Sequence, residues 1–499
     1  MTLTVIWLLP LVAATLVAFM PPRWGKWMSA ATAIVTLGIA SEVAFLFDPT
    51  LHGYQFSEEL DWIPQFRVFY HLGVDGISVW LVVLNALLTV IAVLATPLST
   101  KNVSRFLGLI LAMSAAMAGV FMAVDLVLFY VFWEAMLIPA YFLLWLFGEG
   151  ERPGRAAIKF VLFTLVGSLL MLVGVIGEYV FTGKRTFDLA QLATMAPSSS
   201  IQFGLFFVFA LAFAIKTPLF PFHSWLPDAY RAAPTPMLVI FAGVMGKTGA
   251  YGFLRIAVAL FSDPVGWWDW RWVVPVLAVA GIIWGALMAI AQRDMRMVVA
   301  YASVSHMGFI VLGIFAYNVQ GQQGAVLQMV NHGIIVPALF LLVAWIADRT
   351  GTRDRSALSG LAPRMPVMAG VLTIVVLAAL GLPGLNSFVG EFMTLLGAWQ
   401  RAPMLAAVGA LGMVLAPVYM LRLFQGAMHG EATDKRPTPT PAPPTKVGEG
   451  NWPREAVDDI YAGQLTILAP LIVLMFVLGL DPFVLTRLMT SLGQVGLAH

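Results

Sequence analysis

Apolar runs of about twenty residues follow one another along almost the whole chain, separated by short polar breaks. A run of that length crosses the hydrocarbon core of a bilayer as one helix. The pattern therefore predicts an all-α polytopic membrane protein with about 14 transmembrane helices. The expected spans are 2–20, 28–47, 73–96, 105–123, 126–147, 156–181, 203–232, 234–260, 272–291, 298–317, 322–347, 366–400, 403–425 and 461–480. The seventh and twelfth are too long for simple crossings, and both are interrupted by Gly and Pro. The first break, KTPLFPFHSWLPDAYRAAPTP from Lys216 to Pro236, holds five prolines. A proline inside a helix removes a backbone hydrogen bond and kinks the chain. The second lies in GLPGLNSFVGEF, Gly381 to Phe392. Freed backbone groups at membrane depth must be served by protein or by a wet cavity. With His223, Ser224, Asp228 and Arg231 close by, the first break predicts internal water.

Two broken spans in corresponding places point to an inverted-repeat architecture. They lie five crossings apart, and an odd separation inverts direction. Helices 4–8 and 9–13 are thus expected to form two inverted five-helix repeats, with broken helices 7 and 12. The organisation that follows is 1–104 for the first three helices, 105–260 for the first repeat, 261–425 for the second, and 426–499 for a Pro-rich inner loop and a last helix.

Charge sets the orientation. With the N-terminus outside, inner loops hold 19 Lys and Arg and outer loops 6. That bias fits both termini on the outer side. The run from Leu3 to Met20 has its basic residues, Arg23 and Lys26, after it rather than before it, the reverse of a cleaved signal peptide. It reads as the first crossing. The outer loop Asp48–His71 carries Asp48, Glu58, Glu59 and Asp61 and is expected to form a small lid. The inner loop 431–455 is Pro/Thr-rich and expected to be extended.

Composition narrows the function. Hydrophobic residues make up 60% and charged residues 11%, with a mean hydropathy of +0.87, whereas soluble domains carry about 25% charged residues. A net charge of +2 gives no basic footprint for nucleic acid. Without a single cysteine, disulfides, iron–sulfur clusters and thiolate metal sites within the chain are excluded.

Against that background the ionisable residues inside the spans stand out. A charged side chain at mid-bilayer costs about 2.5–3.5 kcal/mol on insertion scales. Yet Lys216 interrupts the seventh span, Lys247 the eighth and Glu134 the fifth, while His306 and His332 sit mid-span in the tenth and eleventh. A buried carboxylate left alone favours its protonated form, and a neighbouring ammonium favours the ionised one. A Glu134–Lys216 pair would therefore act as a switch. Lysine can lose its proton on burial whereas arginine cannot, and histidine exchanges protons near neutrality. The expected row is Glu134, Lys216, Lys247, His306, His332 and Glu391, joined by water, with His223 as a secondary candidate. Each also has a plainer role available, as a structural ion pair or an interhelical hydrogen bond. Arg255 and Asp75 are expected to snorkel or cap helix ends, Lys159 to anchor at the interface, and Glu178 to be solvated.

At these residues the chain resembles the antiporter-like subunits of respiratory complex I, the proton-pumping NADH:quinone oxidoreductase. The motifs are FWEAMLIP (132–139), IKTPLFPFHSWLPDAY (215–230), GKTGAYGFLR (246–255), AYASVSHMGF (300–309), NHGIIVPALF (331–340) and LPGLNSFVGEF (382–392). The family fold is similar: fourteen helices, two inverted repeats and two broken helices. L-type members add a long lateral helix after the last span, but this chain stops about 19 residues beyond it. Where N-type and L-type members carry lysine in the twelfth span, Glu391 stands here, as in the M-type members, equivalent to mitochondrial subunit 4. The QRDMRM stretch before the tenth span and the Pro-rich loop depart from the family pattern.

The resemblance implies a proton-translocating subunit in a bacterial inner membrane, driven by quinone reduction elsewhere, with L-type and N-type subunits and lipids as partners. No flavin, nucleotide or cluster motif occurs in the chain. NADH, FMN, iron–sulfur clusters and quinone are expected in partner subunits, with no cofactor or metal here. Two alternatives share the same lysines, an Mrp-type multisubunit cation/proton antiporter and a membrane subunit of an energy-converting hydrogenase.

Overall fold

The computed structural model describes residues 1–51, 53–183, 185–195, 199–261, 272–430 and 458–489. Apolar stretches fold as helices because a helix satisfies its own backbone where no water can. The first part comprises α1 (Thr2–Val17), α2 (Pro22–Leu46), a hairpin of β1 (Gln55–Ile63) and β2 (Val68–Val74), α3 (Ser78–Ala95) and α4 (Val103–Met122). Next come α5 (Leu126–Ala135), α6 (Leu137–Phe147), α7 (Pro153–Phe181), α8 (Leu189–Leu192), α9 (Ser199–Lys216), α10 (Trp225–Ala232), α11 (Thr235–Ile240) and α12 (Gly246–Gly252). The chain continues through α13 (Val273–Ala291), α14 (Met295–Ile314), α15 (Val319–Thr350), α16 (Pro366–Ala379), α17 (Asn386–Arg401), α18 (Pro403–Met428), α19 (Ala462–Leu480) and α20 (Phe483–Thr486).

Among the described residues, 11 helical stretches are long and apolar enough to cross a membrane. Three shorter apolar helices join them: Thr2–Val17, Ser200–Lys216 and Pro366–Ala379. The last two are the first halves of the two interrupted spans, so both expected breaks are present, at 217–224 and 380–385. The Pro-rich stretch 431–455 lies outside the described residues, as do Lys184 and Arg271 of the charge tally. The most enclosed stretches are Thr235–Val258, α14 and α15, buried along almost their full apolar length. The outermost, α2, α7, α18 and α19, bury less than half of theirs.

The acidic loop folds as a two-stranded antiparallel hairpin, so the third helix begins at Ser78 rather than at 73. Glu58 fastens it, accepting from Leu3 N at 2.7 Å and Thr4 N at 3.1 Å. This places an anion at the positive end of α1. Asp125 caps α5 through Val127 N and Leu128 N and accepts from Phe69 N of β2. His71 of β2 pairs with Asp188 at 2.8 Å.

Three expectations about charges are corrected. Arg255 does not snorkel: it is buried and forms an ion pair with buried Asp75, while Asp75 does cap a helix end as expected, accepting from Ile77 N and Ser78 N at the start of α3. Glu178, expected to be solvated, is 1% exposed, and its Oε2 has no hydrogen-bond partner. Packing of α7 against α9 shuts it in. Arg296, counted as an inner-loop charge, is 1% exposed. Its guanidinium reaches Glu149 at 3.1 Å, the carbonyls of Arg231 and Ala233 at 3.2 Å each, and Thr235 Oγ1 at 2.9 Å. A cation thus sits on the carbonyl end of α10, where the helix dipole favours one. Arg353 joins from behind α15, 2.7 Å from Glu149.

Two outcomes follow. Arg296→Met leaves the α10 carbonyls without that donor, at about 1–3 kcal/mol. Thermal denaturation of the purified protein should shift down, and amide exchange across Trp225–Thr235 should speed up. The second concerns pH. Burial pushes the Asp125 carboxyl up to about 6 from 3.8, opposed by N–H bonds from Phe69, Leu128 and Val127, with the Asp188 charge adding to the rise. A raised folded pKa means stability present below about pH 4 and lost as pH climbs through 6. Asp125→Asn keeps an accepting cap without that loss. It should gain on the parent by up to about 3 kcal/mol between pH 4 and 7, from about 1.4 kcal/mol per pKa unit, read as a pH-dependent gap in denaturation midpoint.

Candidate proton-transfer site

The eighth span is not a regular helix. Two π-helical stretches, Phe241–Met245 and Phe253–Val258, flank α12, which carries Lys247. A π turn widens the helix and loosens its i to i−4 ladder. Here Lys247 Nζ donates to the Ala242 carbonyl at 2.6 Å. The same Nζ lies 2.7 Å from His332 Nδ1 on α15. Glycine permits the approach: a Cβ on Gly333 would stand 2.9 Å from the Gly243 carbonyl oxygen and 2.5 Å from Leu84 Cδ2.

From His332 the polar line continues across α15 to α14. The His332 and His306 rings are 5.8 Å apart, centre to centre, inclined by 59°. Both line a small cavity with Gln328, Ser387, Ala302 and Met420, which has room for about one water. His306 Nδ1 is 2.7 Å from Glu391 Oε1 on α17. That oxygen also accepts from Gln328 Nε2 and Ser387 Oγ, at 3.0 Å each. Tyr419 of α18 approaches the far nitrogen of His306 at 3.5 Å. With Lys247 protonated, His332 Nδ1 accepts, placing the ring proton on Nε2, which has no hydrogen-bond partner. A neutral Lys247 amine can instead accept from an Nδ1–H. The His306 Nδ1–Glu391 Oε1 bond likewise holds one proton between its two partners. Four residues from four helices thus meet in one buried line.

The other two stand apart. Lys216 ends α9, 1% exposed, over the rings of Trp133 at 5.4 Å and Phe160 at 5.8 Å. Glu134 ends the last turn of α5 and is the charge that acts on Lys216. The two form no ion pair within 4 Å, and neither Lys216 Nζ nor Glu134 Oε1 has a hydrogen-bond partner among the described residues. Tyr130, one turn earlier on α5, engages the Glu134 carboxylate. Toward Lys247 lie Thr217, buried with an unpartnered Oγ1, and Thr248, whose hydroxyl turns to the Met245 carbonyl and to Met136 Sδ.

His223 is packed against the first break. Its ring stacks on Phe220 and accepts from Trp284 Nε1 at 3.2 Å, which fits an anchor. Ser224 and Asp228 lie at the surface, bound by Lys159 at 2.7 Å each, rather than inside. The Trp225 indole serves the freed Ile215 carbonyl at 2.9 Å. Side chains therefore do part of the work expected of internal water. The second break turns on Gly381 and Gly384, at φ +79° and +93°, where other residues would be strained. It is held by reciprocal bonds between Asn331 and Asn386.

Sequence reasoning missed Gln328, Ser387 and Tyr419. For the first two a signal existed: Gln328 precedes His332, and Ser387 precedes Glu391, by four residues, the spacing that shares a helix face. Among the described residues no group of three or more His, Cys, Asp or Glu could hold a metal ion.

The chain is similar to known proteins over nearly all its length. It is 38% identical to NADH-quinone oxidoreductase subunit M of Mycobacterium tuberculosis strain H37Rv, covering 96% of this chain and 91% of that protein. A chain of respiratory complex I from Thermus thermophilus superimposes with a TM-score of 0.87 at 32% identity, covering 99% and 98% of the two chains. One from the Mrp complex of Dietzia sp. DQ12-45-1b does so with a TM-score of 0.86 at 24% identity, covering 99% and 97%, and shares the fold. Residues 123–416 match the family described as NADH:quinone oxidoreductase/Mrp antiporter, transmembrane. From the motifs at 132–139 to the second break, then, this chain belongs to the NADH:quinone oxidoreductase/Mrp antiporter family of transmembrane proteins.

Proposed function

We propose that the chain is the M-type, proton-translocating membrane subunit of an NADH:quinone oxidoreductase. Protons move along Glu134, Lys216, Lys247, His332, His306 and Glu391, driven by quinone reduction in other subunits. The observation that carries this reading is the unbroken contact line from Lys247 through His332 and His306 to Glu391. A structural scaffold has no use for four titratable groups from four helices in one buried line, since each costs desolvation that apolar packing avoids.

In this reading the row has two parts. Between Lys247 and His332 one proton can sit on either nitrogen, and the spare His332 Nε2 faces the cavity. Glu391 is an acceptor whose charge three donors stabilise. Glu134 and Lys216 form the second part, close enough to feel each other and free to pair or separate. Moving one charge against 100 mV costs about 2.3 kcal/mol, so the row needs an outside drive. NADH, FMN, iron–sulfur clusters and quinone belong to the partner subunits. The L-type and N-type antiporter-like subunits are its neighbours, in a bacterial inner membrane with both termini outside. Helices 4–8 and 9–13 are the two inverted repeats, within residues 105–260 and 261–425. The first three helices fall in 1–104 and the last in 426–499.

The identity of Glu391 and the 38% relative favour the oxidoreductase over an Mrp-type antiporter. Purification through a tag on this chain tests it: flavin and iron–sulfur signals with NADH-dependent quinone reduction are expected, and Mrp or nickel-hydrogenase subunits in their place would overturn it.

In the reconstituted complex, Lys216→Met and Lys247→Met should each cut NADH-driven proton pumping sharply, as measured by a ΔpH-sensitive dye. Normal pumping in both variants would refute the row. Glu391→Gln should act in the same direction, whereas His223→Gln should leave pumping close to the parent level.

A further inference from the structure

Eight residues beyond Lys247, about 12 Å along the span toward the hairpin, lies the buried pair Arg255–Asp75. The row has no role for it. Arg255 lies in the second π stretch, and its Nε donates to Tyr251 Oη at 3.3 Å, one turn from Lys247. Its guanidinium is flanked by the rings of Tyr251 at 5.4 Å and Tyr54 at 5.6 Å. Asp75 is pinned by the backbone N–H groups of Ile77 and Ser78, and its own N–H binds Ser78 Oγ.

Beyond the pair the polar trail continues. Tyr54, whose ring flanks Arg255, immediately precedes β1 of the hairpin. Asp188 binds His71 at 2.8 Å, and His71 binds Ser57 at 2.8 Å on the exposed part of the hairpin. Asp125 adds a further carboxyl beside Asp188. Hydroxyls, carboxylates and an imidazole thus lead from near Lys247 to the hairpin face, with one guanidinium across the way.

We propose that the Arg255–Asp75 ion pair is a proton barrier that seals the hairpin side of the row, so that a proton on Lys247 cannot leave directly toward the hairpin. The proposal rests on the row reading above. Arginine keeps its proton under all working conditions, so it cannot relay one. A fixed cation in a low-dielectric interior repels an arriving proton, and the pinned aspartate holds that cation in place without offering a free acceptor. A merely structural tie between α3 and the eighth span would be served as well by apolar packing, since a buried ion pair recovers little more than its desolvation cost.

The test is passive leak in proteoliposomes holding the whole complex, with no NADH present. An imposed ΔpH should collapse several-fold faster with Arg255→Gln. The double change D75N/R255Q, which leaves no unpaired buried charge, should leak as well. Adding Lys247→Met to either should restore tightness, because the leak runs through the row. A ΔpH held at the parent rate by the double variant overturns the barrier. So does a leak that Lys247→Met does not stop, which marks a general packing defect, or assembly that occurs only with the charged pair intact, which marks a structural tie. The row is judged separately, by NADH-driven pumping in Lys247→Met alone, and can stand if the barrier falls.

Discussion

The side-chain nitrogen of Lys247 is wholly buried and must find its hydrogen-bond partners inside the protein. In a regular α-helix every interior carbonyl is already engaged one turn on, so the helix itself has little to offer. At the π turn Phe241–Met245 the Ala242 carbonyl accepts from Lys247 Nζ, and His332 Nδ1 lies 2.7 Å from the same nitrogen. Much of the interior is arranged around this need. Gly243 and Gly333 bring the π turn against α15, and α15 carries His332 and Gln328 at the spacing that lets one serve Lys247 and the other Glu391.

The same constraint explains why the site was so visible in the sequence. An ionisable residue within an apolar run is costly, so Glu134, Lys216, Lys247, His306, His332 and Glu391 stand out as candidates in the sequence alone. The two breaks do as well, because Pro and Gly at membrane depth have few other meanings. The motifs around those residues were equally specific, and family membership follows from them.

Partnerships were harder to read. Asp75 and Arg255 pair across 180 positions, and neither flanking sequence says so. Charge counting treats Arg296 as solvated because it lies at a helix start beside Arg293, yet it turns inward onto the carbonyls of another broken helix. Glu178 was misjudged for a similar reason: depth along a helix is legible, but the face a neighbour covers is not. The π turns leave no trace in hydrophobic periodicity when every face of the span is apolar. Nor did the hairpin strands, whose acidic residues read as loop until Glu58 is seen holding the N-terminus of α1.

The gap between Lys216 and Lys247 bears on mechanism. A row bonded end to end at all times would conduct protons down their gradient and short-circuit any pump. A pump needs at least one junction that is open in some states only. Lys216 and Glu134 each hold an unpartnered polar atom in a buried place, a costly arrangement that a static scaffold would resolve. Between them and Lys247 stand Thr217, also unpartnered, and Thr248, bonded to its own helix. The helix carrying Lys216 ends at that residue, and Trp225 and Lys159 bind the carbonyls freed by the break. The end of the row at Glu134 and Lys216 is thus the one left unsatisfied, while the other end holds two short bonds, Lys247 to His332 and His306 to Glu391, with the two imidazole rings 5.8 Å apart between them.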